Sequence, residues 1–372
     1  MTRTGAPAAQ RVVHFVLPGD IDDPAAPSGG NTYDRRVCRD LPAAGWHIQP
    51  YPLPGSWPRP DATARAGLAG RLAALPDGAV VLLDGLVACG VPEILAPEAA
   101  RLRLAVLVHL PLGDETGLDP APAAELDALE HRALHTVEAV VATSDWAARR
   151  LVTHHGLAPE RVHAVRPGVD PAPLAPGTDG ATGLLCVAAV TPRKGQHRLI
   201  DALAGVAELP WRCACVGALG RDPGYVAQLR GQVSEFGLDD RITFTGPRAG
   251  ADLEASYAAA DLLVLTSYAE TYGMVVTEAL ARGIPVLATA VDGVPEAVGR
   301  APDGGVPGLL VPPGRPEALT EALRGWLGDP QLRDRIRSSA RARRAMLEGW
   351  EMTSHSLAGV LERLRHEPRG TR

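Results

Sequence analysis

The chain lacks most of what would anchor or brace it from outside. Its five cysteines, Cys38, Cys89, Cys186, Cys213 and Cys215, form neither a C-x2-C pattern nor an even set, which argues against a zinc ribbon and against a disulfide-framed secreted domain. Three of them fall in apolar strand-like runs and read as small core residues in a reducing compartment. No apolar run approaches the ~20 residues that span a bilayer. The start, MTRTGAPAAQR followed by VVHFVL, has no signal-peptide h-region. A cytoplasmic location is therefore expected, with the first ten residues frayed. Aromatic residues make up only 4%, so the cores must be built from small aliphatic side chains. The net charge of −6 argues against generic nucleic-acid binding, which needs a basic face. No D-x-D-type pair stands at a strand end, since Asp22-Asp23 and Asp239-Asp240 fall in loops. No metal is expected, and no Ser-His-Asp or Cys-His constellation is evident.

What the chain does have is alternation. Its 372 residues suffice for two domains. In the first half, short apolar runs at 12–17, 79–83, 104–109, 139–143 and 162–167 read as strands. Helices are expected from about Asn31, over 62–75, over 118–137, and after Ser144-Asp145, which suit a helix cap. The rest of 45–75, rich in Pro, Trp and Gly, reads as irregular connection. Residues 171–183 have the composition of a linker. The pattern then restarts with strands at 184–190, 211–216, 241–245, 262–266, 284–288 and 308–311, and helices after Gly195 and over 253–260, 273–282, 316–328 and 331–347. Such alternation implies right-handed β-α-β units and two parallel sheets of the α/β class. Ligands of doubly wound folds bind beyond the carboxyl ends of the strands, where His109 would stand. The tail HEPRGTR is expected to be disordered.

Chemistry concentrates in 261–296, DLLVLTSYAETYGMVVTEALARGIPVLATAVDGVPE. Glu270 precedes a helix and Glu278 lies one to two turns inside it. The first helical amides have no intrahelical partner and attract an anion. A phosphate there, with carboxylates accepting from hydroxyls on either side, describes a nucleotide sugar. Arg193 and Lys194 stand at a second helix start, where cations and free amides suit a pyrophosphate.

The E-x7-E of ETYGMVVTE, followed by EALARGIPVLAT and DGVPE, resembles the donor-site signature of retaining glycosyltransferases of the GT-B fold, family 4 type. The resemblance covers nearly the whole chain and is strongest over 184–314. It implies two Rossmann-like doubly wound domains with the site in the cleft between them. Residues 1–172 would bind the acceptor and 173–349 the nucleotide sugar, and Trp350-Glu351-Met352-Thr353 would carry the last segment, 350–372, back to complete the first domain. By resemblance, Glu270 and His109 face the transferred sugar, Lys194 and Arg193 the diphosphate, and Glu278 the ribose. The backbone of Tyr272, Gly273, Met274 and Val275 contacts sugar and phosphates. The Gly29-Gly30 loop faces donor phosphates and acceptor, with Gly217 and Arg248 as neighbours of base and phosphates. Transfer with retention would follow a front-face route in which the leaving phosphate takes the acceptor proton.

Many members of the family carry an arginine five residues before the lysine, where this chain has Ala189. Arg193 would either supply that charge or point to solvent, leaving Lys194 alone. The resemblance requires no cofactor beyond a UDP-, GDP-, ADP- or dTDP-sugar donor. The acceptor is expected to be a small hydroxyl compound, with a lipid or glycan as alternatives, and the protein a monomer or homodimer. A nucleotide-sugar epimerase, a sugar phosphorylase and a non-catalytic nucleotide-sugar-binding partner are the competing readings.

Overall fold

The computed structural model describes residues 11–366 except 26, 116 and 179. The first ten residues and 367–372, expected to be frayed and disordered, lie outside the described residues. Two six-stranded sheets account for all twelve strands among them. The first contains β1 (Val12–Pro18), β2 (His47–Leu53), β3 (Val80–Asp84), β4 (Arg103–Val108), β5 (Ala139–Ala142) and β6 (Val162–Ala164) in the order β2-β1-β3-β4-β5-β6. The second contains β7 (Gly183–Val187), β8 (Arg212–Val216), β9 (Ile242–Gly246), β10 (Leu262–Leu265), β11 (Val286–Thr289) and β12 (Gly308–Val311) in the order β12-β11-β10-β7-β8-β9. Every pairing is parallel. This is the expected doubly wound α/β architecture, once per half.

The apolar runs are continuous because parallel strands are covered on both faces. In β3, Val81 and Leu83 enter one core while Val80 and Leu82 enter the other, which is the period of two that a pleated strand imposes. Aromatics are few, but they fill the largest spaces: Trp46, Trp326, Tyr33, Tyr257 and Phe15 are fully buried. Cys89, Cys186, Cys213 and Cys215 are buried free thiols and Cys38 is half-buried, in keeping with a core role.

Two expectations need correction. Residues 47–53, read as irregular, form β2. The prolines at 50 and 52 hid it, since proline cannot donate to a ladder. The strand tolerates them because it lies at the sheet edge, paired only with β1. The first helix starts at Gly29 rather than Asn31, because Ser28 caps it: its Oγ accepts from Asn31 N at 3.0 Å. The glycine pair thus forms the first helical turn, where backbone amides lack intrahelical partners.

Order reverses between β1 and β3 in one sheet and between β7 and β10 in the other. Those are the points where a doubly wound sheet opens a crevice at its strand carboxyl ends. Asp84 ends β3, and the segments that follow β1, β4, β7 and β10 carry Gly29-Gly30, His109, Lys194 and Glu270.

The helix Trp350–His366 packs against the first sheet. Trp350, Leu357, Val360, Leu361 and Leu364 join Val13, Phe15 and Leu82 in one core. The crossing is tight at Gly168, where a Cβ would stand 2.3 Å from the Trp350 nitrogen. Because the obstacle is backbone, Gly168→Ala should destabilise the fold by about 1–3 kcal/mol. An unchanged urea midpoint for that variant would show that the crossing can relax.

Candidate active site

Lys194 is the only lysine among the 37 lysine and arginine residues of the chain. It sits in a 3-10 turn, Pro192–Lys194, closed by Gly195 at φ 66°. That glycine is required twice over, by its left-handed backbone and because a Cβ would stand 2.3 Å from the Thr266 carbonyl oxygen. Thr266 Oγ1 donates to the Gly195 carbonyl at 2.9 Å, tying the turn to the end of β10. Lys194 Nζ thereby meets Glu270 Oε1 in a short ion pair. Ser267 Oγ donates to the same oxygen at 2.7 Å.

Arg193 does not turn away from the protein. Its guanidinium donates to the Ala269 carbonyl at 2.9 Å, beside Glu270. Burial alone would raise the Glu270 pKa, but the charges of Lys194 and Arg193, with hydrogen bonds from Lys194 and Ser267, outweigh it and hold the carboxyl below its usual range. The loop is fixed from behind as well. Glu270 N donates to Asp292 Oδ2 at 3.0 Å and Gly293 N to the Glu270 carbonyl at 2.9 Å. The DGVPE segment therefore serves as the backing of the Glu270 loop.

Glu278, in the helix Met274–Ala281, is treated oppositely by its surroundings. Burial raises its pKa, against the Tyr257 hydroxyl and the charge of Arg282. The Tyr257 hydroxyl donates to Oε2 at 2.6 Å. Gly273 caps that helix at φ 89°, and the atoms nearest to an added Cβ lie at ordinary contact, 3.6 Å, so conformation rather than crowding demands glycine here. Tyr272 is buried, which pushes its hydroxyl up to about 12. Met274 and Val275 are half-buried. Gly217 supports the turn after β7, since a Cβ there would lie 1.9 Å from the Ala188 carbonyl oxygen. Ala189 lies in that same turn and presents its carbonyl to Gln196 Nε2 at 3.0 Å. Arg248 is exposed and donates to Ser256 Oγ at 2.8 Å, beside Tyr257.

The opposite wall comes from the first half. His109 Nε2 is 2.8 Å from Asp34 Oδ1 and 3.5 Å from Asp84 Oδ2, and Tyr33 packs edge-on at 5.2 Å between centroids. Burial lowers the His109 pKa. Burial also raises Asp34 to about 7 and lifts Asp84 well above its ordinary value, with the Asp34 charge adding to it. Burial thus disfavours the charged form of all three groups. They also bring one ligand atom each within 4.8 Å of the others, a set that could hold a metal ion. Gly30 leaves room for this ring, since a Cβ would stand 3.2 Å from it. Sequence reasoning found His109 but missed Asp34 and Asp84. The available signal for Asp84 was a lone carboxylate ending an otherwise apolar strand.

The two walls touch. Thr271 Oγ1 donates to the His109 carbonyl at 2.6 Å, and Ser144 Oγ donates to the Thr271 carbonyl at 2.6 Å. A Cβ on Gly29 would meet Met274 Sδ at 3.5 Å. The first amides of the helix Asp145–His155, those of Asp145 and Trp146, bind the Glu296 carboxylate at 3.1 Å each. These contacts set the Glu270 loop, with Lys194 and Arg193 behind it, against His109, and Met274 against the glycine pair, while Glu278 lies on the helix Met274–Ala281 and Arg248 beside Tyr257.

Residues 178–343 match the family model described as glycosyl transferases group 1, and residues 26–173 match that described as glycosyltransferase family 4. The D-inositol 3-phosphate glycosyltransferase of Jonesia denitrificans is 33% identical over 267 residues, 66% of this chain and 61% of the relative. The chain thus spans less than two thirds of the length of that relative. Among solved structures, Anabaena HepE in complex with UDP and glucose aligns with a TM-score of 0.73 at 22% identity, over 95% of this chain and 99% of its own. Sucrose-phosphate synthase from Thermosynechococcus elongatus aligns with a TM-score of 0.74 at 22% identity, over 95% and 99%. No helix of the described residues is long and apolar enough to cross a membrane.

The Asp34 environment yields a pH prediction. Its folded pKa, about 7, lies above the unfolded value of about 3.9, so the folded state keeps a proton that the unfolded state has released. The wild type should lose stability from this group as pH rises between those values. Asp34→Asn removes the group, so its melting temperature should gain on the wild type across that interval. A difference independent of pH would show that Asp34 ionises normally.

Proposed function

Because the chain belongs to the family 4 type of GT-B glycosyltransferases, we propose that it moves a hexose-type sugar from a nucleoside diphosphate sugar to a hydroxyl of a small acceptor, with retention of configuration. The observation that carries this reading is the Lys194–Glu270 pair at the mouth of β7 and β10, facing His109 and the Gly29-Gly30 turn across the cleft. In this reading Lys194 and Arg193 neutralise the diphosphate as charge grows on the leaving group. Glu270, kept ionised, accepts from sugar hydroxyls. Glu278 accepts from the ribose through the oxygen that Tyr257 does not engage.

His109 contacts the sugar, and Asp34 and Asp84 fix its ring as positioning residues. The inward turn of Arg193 supports its standing in for the arginine that Ala189 replaces. Retention rests on the front-face route, in which the departing phosphate accepts the acceptor's proton and no protein nucleophile is required. The inositol 3-phosphate in the name of the Jonesia relative makes a polyol phosphate the first acceptor to try, and the UDP bound to HepE makes a UDP-sugar the first donor.

Thermal-shift screening against UDP, GDP, ADP and dTDP should single out one base, since a ligand at ~100 times its dissociation constant adds about 2.7 kcal/mol. Transfer assays with the matching sugar should give product only with acceptor present. Donor conversion without acceptor would instead indicate an epimerase, and dependence on free phosphate a phosphorylase. Glu278→Ala removes a charge-assisted hydrogen bond of about 1.5–3 kcal/mol and should weaken nucleotide binding about tenfold or more by calorimetry. Unchanged affinity would remove the ribose role. Lys194→Arg keeps the charge but not the compact ammonium, so turnover should fall by more than about tenfold, a loss of 1.4 kcal/mol in transition-state stabilisation. Full turnover would show that charge alone matters there.

A further inference from the structure

Four of the eleven histidines have no part in sugar transfer, and they meet at one place in the first half. His131 and His135 lie on the helix Pro120–Thr136, and His154 and His155 end the helix Asp145–His155. Ring centroids are 4.4 Å apart for His131 and His135, 5.8 Å for His131 and His155, and 4.7 Å for His154 and His155. Two carboxylates from the first of these helices join them. Asp127 Oδ1 lies 2.6 Å from His154 Nε2, and Glu130 Oε2 lies 3.3 Å from His155 Nε2.

The second of those contacts is not a hydrogen bond. Both atoms are buried and neither has a hydrogen-bond partner among the described residues. Glu130 is 0% exposed and His155 2%. A buried carboxylate oxygen and a buried imidazole nitrogen each lose hydration that must be replaced by a partner. A cation that both can approach would supply one.

Geometry and charge favour such a cation. Asp127, His154 and His155 each offer one ligand atom, all within 4.8 Å of one another. A tetrahedral ion with bonds of about 2.0–2.2 Å holds its ligand atoms about 3.4 Å apart, so small rotations of the exposed side chains would close the set. Imidazole with a carboxylate suits zinc-class ions, whereas magnesium and calcium take oxygen ligands.

We propose that Asp127, His154 and His155, flanked by Glu130 and His131, bind a divalent transition-metal ion of the zinc class at a site separate from the sugar-transfer cleft. The ion would clasp the carboxyl end of the helix Asp145–His155 to the middle of the helix Pro120–Thr136. One of them carries the amides that hold Glu296 at its other end, so the metal would steady the helix on which the two halves meet.

The test uses the full chain after chelation, titrated with Zn2+ by calorimetry and with Co2+ by visible absorption. One equivalent should bind, with the intense bands of a four-coordinate Co2+ centre, and excess Zn2+ should raise the melting temperature. His154 and Asp127 are part-exposed, at 36% and 39% of their side chains, so His154→Gln and Asp127→Asn should fold normally. Because even outer-shell changes cost about 10–100-fold in metal affinity, each variant should weaken Zn2+ more than about tenfold, and the double variant should lose both the binding and the thermal shift. Lys194→Arg should leave the metal affinity unchanged. Failure to take up one equivalent would overturn the proposal. So would uptake undiminished in the double variant, which would put the ion on other surface side chains.

Discussion

A carboxylate that must remain charged while shut away from water sets the terms for the cleft. Glu270 is 7% exposed, and burial by itself would protonate it. Lys194, Arg193 and Ser267 reverse that outcome, and each arrives through backbone that has little freedom. Gly195 can only be glycine, Thr266 bridges the turn to β10, and Asp292 and Gly293 hold the loop from behind. Glu278, eight positions later, has its carboxylate bonded by the Tyr257 hydroxyl rather than by a cation, and its pKa moves the other way. Two carboxylates of one short segment are thus set to different protonation behaviour by what surrounds them.

Lys194 also shows what the composition conceals. The chain uses arginine at every other basic position, so a lysine is retained where guanidinium does not serve. A planar fork cannot approach a single carboxylate oxygen together with Ser267 as a compact ammonium does. That signal was present in the sequence and lay in what the rest of the chain avoids.

Much of the fold was legible because parallel strands buried on both faces are written as unbroken apolar runs. Strand ends then predict where side chains face a crevice, and His109, Lys194 and Glu270 all stand at such ends. Reading failed where a local rule was overridden by position in the sheet. Pro50 and Pro52 argue against a strand anywhere but an edge, and the edge is known only once the order β2-β1-β3 is known. Asp34 was unreadable for another reason. It lies inside the helix Gly29–Asp40 with the half-buried Arg35 and Arg36 beside it in sequence, and its partners, His109 and Asp84, come from 75 and 50 residues away. The DGVPE segment was legible as part of a signature, but its work through Asp292, Gly293 and Glu296 depends on contacts that pattern does not encode.

The last helix has a consequence for how the chain comes to be folded at all. Trp350, Leu357 and Leu361 fill the core beneath β1 and β3, so one face of the first sheet stays only partly covered until nearly two hundred residues have followed its last strand. During synthesis the second half can close on its own contacts while the earlier half waits. The segment made first is therefore finished last, and its unprotected face is where a chaperone or a misfolding event would find the nascent protein.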